Sequence, residues 1–161
     1  MQIALVSPAK KSGCPPIGLV YLASYIQSNT KYRVDIIDHN YHDIFKVDYS
    51  QYALIGVSAM TVNYEKAIDL AHWITMWDRK PVIIGGVHIS TCPESFNLIF
   101  DSMIIGEGEK AFIELLYDLE TAQLKPRYQK EITNNLTLPD WDLIDKRYFT
   151  RQFNTTFAEW G

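Results

Sequence analysis

The chain has 161 residues, 47% of them apolar and 21% charged, with a net charge of −4 and a pI near 5.5. That length suits one domain with a real core, and the composition excludes a disordered chain, a membrane-spanning one and nucleic acid as main partner. No secretory signal layout precedes the first apolar run, so a cytoplasmic location is expected. The two cysteines, Cys14 and Cys92, are too few for a disulfide framework or to hold an iron–sulfur cluster by themselves.

Residues 3–7, IALVS, predict a first strand that stops at Pro8. The loop AKKSGCPP follows, and Pro15 and Pro16 stiffen its exit into a helix over 17–28, with Pro16 near the first turn. Gly18 lies early in that helix, where it permits close packing. Residues 33–37 predict the second strand, ending in Asp38 and the polar loop DHNYHD. Residues 53–59 predict the third. A helix over 64–78 carries Ala67, Leu70, Ala71, Ile74 and Trp77 on one apolar stripe, with His72 off it and exposed. The fourth strand is 82–84, and Pro93 opens what reads as a further helix. The fifth strand is 102–105, followed by a helix whose stripe is Ala111, Phe112, Leu115, Leu116 and Leu119. From residue 121 the alternation fails: LKPRYQKEI is a short extended piece, NNLTLPDWDLIDKRYF is irregular with anchoring aromatics, and the final FAEWG reads as a cut between domains.

Continuous β-branched strands alternating with helices mark a parallel sheet covered on both faces. Right-handed crossovers make it an α/β doubly wound, flavodoxin- or Rossmann-like sheet of five strands, with expected order 2-1-3-4-5. The loops after strands one, three, four and five then form one rim at the carboxyl ends of the strands, where ligands bind in such sheets. All four are rich in small residues: SPAKKSGCPP, Ser58-Ala59-Met60-Thr61, Gly85-Gly86-Val87-His88 and Gly106-Glu107-Gly108. The adjacent glycines remove side chains where a flat ligand must come close. On this reading Gly85→Leu or Gly86→Leu abolishes ligand uptake and leaves the fold intact.

His88 reads as a rim histidine tied to the backbone, a ligand-binding donor or a metal ligand, with no second metal ligand at suitable spacing beside it. His39 and His42, between Asp38 and Asp43, read as a solvated loop at the sheet edge rather than a metal site. Gly106, Gly108 and Ala111 match GxGxxA between a strand and a helix, but after the last strand, which speaks against a dinucleotide. Glu107 and Glu109 favour a helix N-terminus, and Glu107 can also bond a ligand hydroxyl or amide. There is no GxxxxGK[ST] loop, no phospho-receiver aspartate and no nucleophile–histidine set.

CPPIGLVYLASYI, VDIID, IGVSAMT, VIIGGVHISTCPE, MIIGEGEKAFIELL and LPDWDLID together resemble the N-terminal cobalamin-binding domain of B12-dependent radical-SAM enzymes, in order from Met1 to about Tyr148. The resemblance implies a cobalamin on the strand ends, contacted by Pro15, Pro16 and Gly18, by Ser58 to Thr61, by Gly85 to His88 and by Gly106 to Gly108. The first loop lacks the histidine of DxHxxG that ligates cobalt in better-known cobalamin domains, so a base-off form without protein nitrogen is implied. The family's [4Fe–4S] cluster and S-adenosylmethionine belong to a CxxxCxxC domain that this chain does not contain. The resemblance therefore implies residues 1–120 as the cofactor module and 121–161 as an extension or linker toward a radical-SAM catalytic domain, in cis or in trans. The module is not expected to be catalytic by itself; the parent would be a methyltransferase-like enzyme. Two further readings stay open: the same fold with an empty rim as a structural or interaction domain, and a flavin or nucleotide binder.

Overall fold

Five short runs rich in Val, Ile and Leu set the architecture. In a computed structural model that describes residues 1–10, 13–131 and 137–149, they form strands β1 (Gln2–Ser7), β2 (Arg33–Asp38), β3 (Leu54–Ser58), β4 (Val82–Gly85) and β5 (Ser102–Ile105). Between and after them lie helices α1 (Ile17–Asn29), α2 (Tyr64–Trp77), α3 (Val87–Thr91) and α4 (Glu109–Glu120). A sixth strand, β6 (Arg127–Gln129), extends the expected five, and the order is β2-β1-β3-β4-β5-β6, with every neighbouring pair parallel.

The sixth strand is missing from the apolar pattern because it buries one side chain only. Arg127 and Gln129 are exposed, as befits an edge strand, while Tyr128 is buried. The Tyr128 hydroxyl donates to Asp118 at 2.8 Å and accepts from the Lys125 backbone N–H at 2.9 Å.

Side chains alternate across the sheet, so each face has its own core. One face packs Ile3, Leu5, Leu54, Ile83 and Ile104 against Leu19, Ala23 and Ile26 of α1 and Ala111, Phe112, Leu115 and Leu116 of α4. The other packs Ala4, Val6, Ile55, Val57, Ile84 and Ile105 against Ala67, Leu70, Ala71 and Ile74 of α2 and Ile89 of α3. Trp77 departs from the expected stripe: it ends its helix, is 65% exposed, and meets Trp73 at 5.7 Å between ring centroids.

Val87–Thr91 forms helix α3, and Pro93, expected to open a further helix, opens only a 3-10 turn, Pro93–Ser95. Cys92, the residue before the proline, is pushed out of helical geometry to φ −131° and ψ 62°, which ends α3 at Thr91, two residues before Pro93.

His72 is exposed. The loop after β2 is solvated as expected at His42 and Asp43, but Asp38 and His39 are buried. The chain returns over it: Tyr148, Ile144 and Val20 form a small cluster, the Tyr148 hydroxyl donates to the Asp38 carboxylate, and Asn40 Nδ2 donates to Tyr148 at 2.7 Å. Burial, then the neighbouring carboxylate, pushes the Tyr148 phenol well above its ordinary range. The final FAEWG lies outside the described residues, and no helix among those described is long and apolar enough to cross a membrane.

Candidate functional site

On the face covered by α1 and α4, the side chains shrink toward the carboxyl ends of the strands. In β3 the sequence on that face runs Leu54, Gly56, Ser58; in β4, Ile83 gives way to Gly85; beyond β5, Ile104 gives way to Gly106. The helices stay at a distance set by the larger residues below, so space opens above the small ones. The result is a cleft of about 700 Å³ lined by these residues, with Gly18, Leu19, Tyr21 and Leu22 of α1 on one wall and Gly108, Glu109 and Phe112 on the other. Met60, Val87, Ser90, Thr91 and Glu107 form its lip.

The floor is largely backbone. A methyl group added at Gly18 or Gly106 would meet nothing within 4 Å, and one at Gly85 would make only ordinary contact with Ile104, 3.8 Å from its carbonyl oxygen. Gly56 is different: its added methyl would lie 2.9 Å from Leu5 and 3.3 Å from Phe112, so this glycine marks the tight inner end of the cleft.

Gly86 serves the rim rather than the space. Its φ of +95° and ψ of −175° belong to a region open essentially only to glycine. Around it the loops are stitched together: Ala59 N–H donates to Gly85 O at 3.0 Å, His88 N–H to Ala59 O at 3.1 Å, and Gly106 N–H to the Ser90 hydroxyl at 2.9 Å. Three successive strand ends are thereby held as one rigid edge.

His88 turns away from the cleft into the opposite side of this edge. It is 8% exposed, its Nδ1 lies 3.1 Å from the Thr61 hydroxyl and its Nε2 2.9 Å from that of Ser95, and its ring lies 4.0 Å from that of Tyr64. Burial raises the Tyr64 phenol, whose hydroxyl donates to Ser95 O at 2.6 Å. His88 is thus the rim histidine held by protein partners, and no histidine or cysteine lines the cleft among the described residues.

Of the residues singled out from sequence, Gly18, Ser58, Met60, Gly85, Gly86, Val87, Gly106, Glu107 and Gly108 line the cleft. Pro15, Pro16, Ala59, Thr61 and His88 do not. Ala59 is buried under the rim, Thr61 partners His88, and Pro15 and Pro16 start α1, their carbonyls accepting from Ile17 and Leu19. The reading from loops missed the cleft's depth: Leu5, Gly56, Ile83, Ile104, Leu22, Glu109 and Phe112 sit within elements, not in the loops after them. Gly56 was the available signal, a glycine in the middle of an apolar strand.

Comparison with known proteins agrees with this fold. The B12 binding domain family matches residues 10–116. The chain is 28% identical over 102 residues, 63% of its length, to bacteriochlorophyllide d C-8(2)-methyltransferase of Chlorobaculum tepidum. It is 27% identical over 130 residues, 78% of its length, to the C-12(1)-methyltransferase of the same organism. It spans 22% and 28% of those two proteins. Two structures of the radical S-adenosylmethionine methyltransferase TsrM from Kitasatospora setae share the fold at a TM-score of 0.63. One has tryptophan and a SAM analogue bound, the other cobalamin and a [4Fe–4S] cluster. They are 20% and 22% identical over 76% of this chain, which covers 26% and 27% of theirs.

Proposed function

From a chain that belongs to the B12-binding domain family, we propose that the cleft at the strand ends is a cobalamin site. The observation that carries this reading is the inward face of β3, β4 and β5, where Gly56, Ser58, Gly85 and Gly106 replace the bulky residues that fill the same face below. An open floor of backbone with apolar walls suits a large flat ligand, and the residues present fit the group. Gly85, Gly106, Gly18 and Met60 would border the corrin, while Leu5, Leu22 and Phe112 would enclose whatever part enters the slot toward Gly56.

Bound cobalamin would supply a cobalt centre for alkyl-group transfer; this chain's own residues would bind, orient and shield it. The two His88 ring nitrogens are occupied by Thr61 and Ser95, which supports a base-off form without protein nitrogen on the metal. The chemistry itself would belong to a radical-SAM domain holding a [4Fe–4S] cluster and S-adenosylmethionine, joined in cis or docking in trans. The chain has two cysteines, far apart, and no CxxxCxxC. The relatives are methyltransferases, so a methyltransferase-like parent is the reading their names support.

The test is incubation with hydroxocobalamin followed by desalting and absorbance. About one equivalent of corrin should stay with the protein, with bands reporting no histidine on cobalt. His88→Ala should leave those bands in place while costing stability, since Thr61 and Ser95 lose a buried partner. A colourless but folded protein overturns the site, and a spectral shift in His88→Ala overturns the base-off form.

A further inference from the structure

Glu109 opens α4 from inside the cleft wall, and it is 7% exposed. Its Oε2 is buried with no hydrogen-bond partner, the one such side-chain atom among the described residues. A carboxylate in the first turn of a helix is favoured by the helix dipole, but that attraction does not require burial and is available to a carboxylate left in water. Glu107, two residues earlier on the same lip, is exposed. A buried acceptor left unpaired is costly, and native structures rarely keep one without a use.

We infer that Glu109 is a ligand-recognition residue whose Oε2 accepts a hydrogen bond from an N–H or O–H donor of the bound corrinoid. This rests on the cobalamin reading of the cleft and deepens it. A corrinoid carries donors of two kinds: the carboxamide N–H groups around the macrocycle and the hydroxyls of its nucleotide loop. Both suit a carboxylate, which only accepts. The neighbouring lining of Leu22, Gly108 and Phe112 offers no competing side-chain donor, so the acceptor, buried without ligand, is left for the ligand once the Glu109 side chain turns toward the cleft. The contact is selective because only a ligand with a donor at that position relieves the unpaired acceptor, while one without it leaves the carboxylate as it is in the free protein.

Equilibrium titrations of the wild type and Glu109→Gln with hydroxocobalamin and with cobinamide, which lacks the nucleotide loop, test this. Thermal unfolding of each protein without ligand accompanies them. Removing the charge at constant shape should weaken cobalamin binding roughly tenfold or more, the range for hydrogen bonds to a charged group. If the weakening persists with cobinamide, the donor is a corrin carboxamide; if it vanishes, the donor lies in the nucleotide loop. Both outcomes support the assignment. Glu109→Asp, which keeps the charge but withdraws the carboxylate by one methylene, should also weaken binding and covers the case in which the glutamine variant fails to fold. Equal affinities in folded variants, with a change only in unfolding temperature, make Glu109 a helix-start residue and overturn the inference. A wild type that binds neither corrinoid refutes the cleft reading itself, which is a separate failure.

Discussion

Gly85→Leu should bind cobalamin on the order of 10- to 100-fold more weakly than the wild type while unfolding at the same temperature or slightly higher. The two halves have separate causes. Gly85 ends β4 on the face that forms the cleft floor, two residues beyond Ile83. Its backbone is not left-handed, and an added Cβ would make contact only at 3.8–3.9 Å with Ile104. A leucine there suits a strand better than glycine does. Its remaining carbons would stand in the space over the floor, where a flat ligand has to lie against backbone. Overpacking of this kind costs about 1–3 kcal/mol, which is about 5- to 150-fold in affinity and brackets the stated range. Gly85→Ala should fall between. Unchanged affinity in Gly85→Leu would remove β4 from the site.

Gly86→Ala should behave in the opposite way, losing stability first. Reading the two glycines as equivalent leads to the expectation that either tolerates leucine in the fold; the structure corrects this for Gly86. A methyl group there would sit 2.7 Å from the Ala59 carbonyl oxygen and 2.8 Å from both the Ala59 nitrogen and the Ser58 hydroxyl. Two of these atoms are backbone already engaged in the rim's hydrogen bonds, so they have no inexpensive way to yield. The φ of +95° adds strain for any residue with a Cβ. Together these cost about 2–4 kcal/mol. For a domain of this size that is a fall in Tm on the order of 5–15 °C. Calorimetry of the unliganded protein measures it directly, and an unchanged Tm would contradict the described rim.

These two glycines also show what the sequence makes legible. GG after an apolar run marks a strand end with room above it, and Gly85 does lie on the floor of the cleft. Nothing in the pair itself says which glycine gives room and which gives backbone conformation, because that depends on Ala59, a residue 27 positions away that β3 brings alongside. The order of the first five strands is the flavodoxin-like one that such a pattern fits, although apolar runs and crossover handedness do not by themselves fix it. β6 does not show in that pattern, since only Tyr128 in it is buried. Asp38 is covered by Tyr148, more than a hundred residues on, whose approach no local pattern records. Glu109 was visible only as a carboxylate that suits a helix start; its burial in the wall is a property of the packed α1 and α4.

The central claim is that the corrin lies at the carboxyl ends of β3, β4 and β5, over a floor made of glycine. The most direct measurement is a ¹H–¹⁵N NMR titration of the chain with hydroxocobalamin, using backbone amide assignments. The account predicts the largest perturbations at Gly18, Gly85, Gly106 and Gly108, with little change at Gln2 and Tyr52 at the opposite end of the sheet. Saturable binding whose perturbations centre on that opposite end, or on the outer face of α2, would contradict it.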